Sequence, residues 1–275
     1  MRRWLAAVAV VVAAQNPAWA LAPEVEQAEA QASAGQVDAC IATLEGYLKT
    51  SPDDPEALWR LARALYDKGE LMAQTVSDAE RLPIYQRIEQ LSVRVQQLAP
   101  QSGYGYFWQG VAMGRVATAK GILSQLFTAD DILALWMKAL KTTTSYRQAS
   151  GHSSFPGDVW LGIGQFYRLV PDSSAMELVA GVRGNIDTSI SYLRRLQAAE
   201  PNRLEAQKEL GISLLCKGYR TADEAAKAEG RDWLGRARAI PATTPIDGID
   251  HKHIPIILSR EAEACGYSRD GWEKL

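Results

Sequence analysis

Pro52, Pro100 and Pro201 each close an amphipathic stretch, and the residues after them are spaced alike. Ten positions on stand Ala62, Gly110 and Gly211; seventeen on stand Gly69, Ala117 and Gly218. Leu61 and Leu210 directly precede the small residue in two of the three cases. No other feature constrains the fold as strongly. A repeated unit that cannot bury its apolar face alone must stack on its neighbours into a continuous core.

Each unit reads as a helix, a turn and a second helix. Asp54-Pro55 opens one helix, since Asp accepts from free amides at the N-terminus and Pro suits the first helical position. Leu58, Leu61, Ala62 and Leu65 then share a face at helical spacing. Ala62 is small because another helix crosses there, and Gly69 is expected to stop the helix. The stretch Ala206–Gly218 repeats this logic with Leu210-Gly211 at the crossing.

These residues resemble the tetratricopeptide repeat. Ala206, Leu210-Gly211, Gly218 and Pro201 meet its pattern, as do Ala57, Leu61-Ala62, Gly69 and Pro52. A first unit spans 21–54, with Ala28 and Cys40 as small residues and Gly35 as the turn. Trp160-Leu161-Gly162-Ile163-Gly164 is a weaker match. Further units run over 55–102, 103–156, 157–203 and 204–241, leaving 242–275 for a capping helix and tail. The Tyr106-Phe107-Trp108-Gln109-Gly110 helix after Pro100, and Ile163–Pro171 followed by Gly181 and Gly184, are similar to one branch of the superfamily. That branch contains the TatT component of TRAP-type transporters and the regulators of microtubule dynamics. The resemblance implies an all-α, right-handed superhelix of about five helical hairpins that binds a partner rather than catalyses a reaction.

Three units exceed 34 residues, and the excess is expected between their first and second helices. Those segments are apolar: Leu71 and Met72, then Ile122 to Phe127 with Ile132, Leu133, Leu135, Trp136 and Met137, then Met176, Leu178 and Val179. They either thicken the solenoid or wall an apolar pocket near Phe107 and Trp108. The pocket alternative places Leu71, Leu126, Phe127, Trp136, Met176 and Leu178 along one edge.

First helices of such units line the concave groove. The residues expected there are Trp59, Arg63 and Tyr66, then Phe107, Val111 and Arg115, then Gln165 and Arg168, with core or rim packing as the alternative. Aromatic anchors beside Arg suit a peptide or carboxylate.

Arg2 and Arg3 precede an uncharged run from Trp4 to Ala14, and Ala18-Trp19-Ala20 is a small–any–small cleavage site. Residues 1–20 therefore read as a signal peptide cut after Ala20, giving a periplasmic chain. The run is too short to span a bilayer, and Leu21 is not a lipid-accepting Cys. Thirty basic against 32 acidic residues leave a net charge of −2, so nucleic-acid binding has no electrostatic footing.

Catalytic patterns are not found. His152 with Ser153 and Ser154 lacks a nucleophile turn, and Gly162-x-Gly164 lacks a preceding strand. Asp247, Asp250, His251 and His253 are of zinc-ligand type, but alternating His before Pro255 read as a solvated helix start, so neither metal nor cofactor is assigned. Of three cysteines, Cys40 lies far from the others; Cys216 and Cys265 can pair if a last helix, about 253–265, folds back as a cap, and otherwise all three are free thiols.

The resulting expectation is an exported scaffold binding an apolar small molecule or a protein segment, with an oligomer possible. A structural assembly factor with no pocket, and an enzyme with an unrecognised site, are the alternatives.

Overall fold

The computed structural model describes residues 21–73, 75–121, 127–144 and 154–272. The signal-peptide residues, Leu126 and His152-Ser153 lie outside them. The fold is all-α, and the described residues form five antiparallel hairpins in chain order. They are α1 (Pro23–Ser33) with α2 (Val37–Leu48), α3 (Pro55–Met72) with α4 (Asp78–Leu98), and α5 (Gly103–Lys120) with α6 (Ala129–Leu140). Next comes α7 (Phe155–Leu169), which pairs with α9 (Ile186–Ala199) across the short α8 (Ser174–Ala180). The fifth is α10 (Leu204–Thr221) with α11 (Glu224–Ala239). A twelfth helix, α12 (Pro245–Ser259), a 3-10 turn over Glu261–Gly266 and a two-residue hairpin, β1 (Tyr267–Ser268) and β2 (Gly271–Trp272), complete the chain.

Helix starts carry the expected chemistry. The Asp54 carboxylate accepts from the amides of Glu56 (2.8 Å) and Ala57, and Pro55 occupies the first turn. Thr244 and Asp247 form a reciprocal capping box ahead of α12. That box moves the last helix eight residues upstream of its expected start at 253, and His251 and His253 lie inside the helix.

The small residues at the first spacing are crossing points. A Cβ on Gly211 would lie 2.8 Å from the Gly230 carbonyl oxygen on α11, and one on Gly110 would overlap Trp136 on α6. At the second spacing the expectation needs correcting. Gly69 and Gly218 lie inside α3 and α10 rather than ending them. Gly69 leaves room for the Tyr85 ring, and α10 stops at Ala222, whose φ is +55°. Position seventeen is thus a second close-approach site one turn before the helix end.

The extra residues are also distributed differently. In 55–102 they lengthen α3 and α4 to 18 and 21 residues. In 103–156 the apolar stretch 129–140 is itself the second helix, α6, not an insertion ahead of it. In 157–203 a separate element, α8, stands between the two helices.

The final turn brings Cys216 and Cys265 together as a disulfide, with Cα atoms 4.6 Å apart. Cys40 is free and buried. Among the described residues no helix is long and apolar enough to cross a membrane.

Candidate functional site

The concave side of the hairpin array bears a cavity of about 360 Å³. Helical periodicity decides what faces it: Arg63, Tyr66, Asp67 and Leu71 from α3, and Phe107, Val111, Gly114, Arg115 and Thr118 from α5, each residue three or four positions from another of its set. Trp108 joins them, α6 adds Ile132 and Trp136, and α7 adds Leu161, Gln165 and Phe166. The Trp136 indole N–H donates to the Phe107 carbonyl at 3.1 Å, so the ring stands fixed between α5 and α7.

The two ends of the chain add walls to the cavity, which stays open to solvent. Ala32, Ser33 and Gly35 of the first hairpin and the segment Ile240–Asp247 both line it, directly or at its rim. Gly35, with φ +72°, approaches Pro245 so closely that a Cβ would lie 2.8 Å from the proline Cδ. The groove is thereby turned into a walled pocket.

Its polar wall is a set of ion pairs. Glu29 accepts from Arg60 and Arg63, both at 2.9 Å. Asp158 pairs with Arg203 at 2.7 Å. Glu70, fully buried, pairs with Arg115 and with Arg269 at 2.8 Å, and Arg269 reaches on to Glu205 at 2.5 Å. Asp67 differs: the described structure gives its carboxylate neither a hydrogen bond nor an ion pair. Burial pushes its pKa up to about 7, with Glu70 and Glu205 adding to the rise and Arg63 and Arg269 opposing it. Burial likewise raises Asp158 to about 6 against the pull of Arg203.

Of the residues singled out by sequence, Arg63, Tyr66, Phe107, Trp108, Arg115 and Trp136 meet around this cavity. Trp59 does not. It stacks on Tyr104 at 4.1 Å between α3 and α5, because its position on α3 points into the helix layer. Arg168 is fully buried and faces away: it pairs with Glu209 at 2.8 Å and donates to the carbonyls of Ala264, Cys265 and Tyr267, pinning the C-terminal turn. Phe127 and Leu178 are 76% and 88% exposed, outside the cavity, and Met176 is buried but does not line it. The single apolar edge expected from the extra segments therefore does not form; Leu71 and Trp136 reach the cavity from it, and Phe127 and Leu178 do not.

The zinc-type cluster is dispersed by other duties. Asp247 caps α12, His251 Nε2 meets the Ile240 carbonyl at 2.8 Å, and His253 Nδ1 shares a hydrogen bond with the Tyr267 hydroxyl at 3.0 Å. Asp250 pairs with Lys208 at 2.6 Å and Arg269 at 3.0 Å, which hold its carboxyl well below the usual range although burial alone would raise it. No group of metal-ligating side chains forms among the described residues.

Sequence reasoning missed Glu70, Glu205, Lys208 and Arg269, and it grouped Asp250 with zinc-type ligands rather than with these ion pairs. One signal was available: Glu205, Lys208 and Glu209 share one face of α10, on which Lys208 and Glu209 are buried and charge is costly unless partnered. The partners come from the last residues of the chain, which no local pattern connects to α10.

Comparison with known proteins agrees with this architecture. Residues 24–150 match the family described as "Regulator of microtubule dynamics protein 1-3". Regulator of microtubule dynamics protein 1 of Pongo abelii is 24% identical over 229 residues, covering 81% of this chain and 67% of that protein. A thermophilic TPR protein of Thermus thermophilus superposes with a TM-score of 0.58 at 17% identity, over 86% of this chain and 97% of the other. Human IFIT1, solved as a dimer with m7Gppp-AAAA, gives a TM-score of 0.60 at 14% identity, over 88% of this chain and 47% of its own. Over residues 24–150 the chain is thus similar to the regulator-of-microtubule-dynamics family, and its fold is TPR-like.

Proposed function

We propose that the protein is a binding scaffold of the bacterial periplasm whose concave cavity holds an apolar small molecule. The observation that carries this reading is the walling of the groove by the two chain ends. Contact of the first hairpin with α12 at Gly35 and Pro245 leaves a walled space lined by Phe107, Trp108, Ile132, Trp136 and Phe166, suited to a compact ligand rather than a long peptide. A purely structural assembly factor would have no use for such a space.

Gly114 offers a direct test, because it lines the cavity and a Cβ there would meet nothing within 4 Å. Gly114→Phe should fill the space and abolish the fluorescence gain of the neutral probe N-phenylnaphthylamine. Gly235→Phe, on the exposed side of α11 with equal room, should not. Equal probe binding by both variants would remove the cavity as the ligand site.

A second reading, a protein partner, is favoured by the exposed Phe127, Leu178 and Val179, near which a Cβ on Gly181 would lie 3.4 Å from Asp130. Export rests on the Ala18-Trp19-Ala20 site. N-terminal sequencing of protein recovered from the periplasm should start at Leu21, and retention of Met1 would count against it.

A further inference from the structure

Five carboxylates line the cavity: Glu29, Asp67, Asp158, Glu205 and Asp247. Four have partners, in Arg63, Arg203, Arg269 and the α12 cap. The four lining arginines, Arg63, Arg115, Arg203 and Arg269, are all paired as well. Among the described residues that line the cavity, charge is therefore paired except at Asp67. An anionic ligand would have to displace a carboxylate from an arginine it already holds, whereas a cation meets a carboxylate with nothing bound to it.

The surroundings fit the same chemistry. Asp67 is next to Tyr66, and the aromatic faces of Tyr66 and Trp108, with ring centres 5.6 Å apart, share the cavity wall with it. Aromatic faces attract cations as well as apolar surface. The charged groups acting on Asp67 are Arg63 and Glu70 on α3, Glu205 on α10 and Arg269 in the tail. Arg63 and Arg269 oppose the rise in the Asp67 pKa, but they are already engaged by Glu29, and by Glu70 and Glu205, and neither bonds the Asp67 carboxylate.

Resting on the cavity reading above, we propose that the ligand is an amphiphilic amine. Its apolar body lies against Phe107, Trp108 and Trp136, and its protonated nitrogen lies on the Asp67 carboxylate. A carboxylate kept half-buried and unpartnered costs stability, and a cationic ligand is what recovers that cost. Because burial holds Asp67 partly protonated near neutrality, amine binding displaces that proton and tightens as pH rises.

The test is displacement of N-phenylnaphthylamine from the purified protein by decylamine, decanol and decanoate, which differ only in the head group. Wild type should bind decylamine about tenfold or more tightly than decanol, the scale of one charge-assisted hydrogen bond. The preference should grow several-fold between about pH 6 and about pH 8. Asp67→Asn should reduce it to near unity, while Asp232→Asn, the same charge change on the exposed face of α11, should keep it. If wild type binds the three compounds alike, or decanoate best, the amine assignment falls and the cavity stands. If neither the probe nor any decyl compound binds, the cavity reading itself falls.

Discussion

Gly211 and Gly114 lie inside α10 and α5, so replacing either by alanine adds the same helix-propensity gain of about 1 kcal/mol. Their surroundings are opposite. At Gly114 a Cβ enters open space, and the substitution should stabilise by up to that amount. At Gly211 the Cβ would sit 2.8 Å from the Gly230 carbonyl oxygen and 2.9 Å from Leu234 Cγ. Gly230 faces back in the same way, 2.8 Å from the Gly211 carbonyl oxygen, so backbone meets backbone and neither side can turn aside by changing rotamer. The helices must part, and overpacking of this kind costs ~1–3 kcal/mol. The net effect of Gly211→Ala is a loss of about 1 kcal/mol, and the two variants differ by roughly 2 kcal/mol. For a chain of this size that separates their thermal midpoints by roughly 4–8 °C. Circular dichroism melting of both, with the disulfide intact, reads this directly. Midpoints that shift together, or a Gly211→Ala protein more stable than wild type, would refute the crossing geometry and the repeat register built on it.

Three further outcomes follow from the same contacts. Cys265→Ser opens a 49-residue loop and should lower stability by about 4 kcal/mol on the chain-entropy relation; urea unfolding that is insensitive to reductant would contradict the disulfide. Arg168→Ala leaves three carbonyls of the C-terminal turn without their donor and Glu209 with Lys208 alone, and should cost ~3–5 kcal/mol in denaturant titration, far more than Arg194→Ala on the surface. The folded chain holds the Asp67 proton more tightly than the unfolded chain, so the stability that proton supplies is complete below about pH 4 and lost as pH rises through about 7. Asp67→Asn should accordingly gain on wild type in urea midpoint between those limits, and a gap independent of pH would contradict the raised pKa.

The sequence by itself determined the repeat and much of the cavity wall. Hairpin register followed from local features: apolar residues at helical spacing, Asp54-Pro55 at a helix start, and small residues at 62, 110 and 211 where neighbours cross. The same periodicity put Arg63, Tyr66, Phe107 and Arg115 on the concave side, because a residue's face on a helix depends only on its place in the turn. It misplaced Trp59 and Arg168, since periodicity gives a direction but not what stands opposite. It also took α6 for an insertion, because a repeat length does not say which of two helices has grown.

Tertiary structure decided the rest. Whether the groove is walled by the chain ends depends on Gly35 meeting Pro245, and whether Glu70 and Glu205 are balanced depends on Arg269. These partners are about 200 residues apart or lie on different hairpins, and they meet only because the array curves until its ends touch. Electrostatics then falls out of that closure. Asp67 looks like any helix-surface acid in the sequence, and only the residues that arrive from the far end of the chain bury it and leave it without a partner.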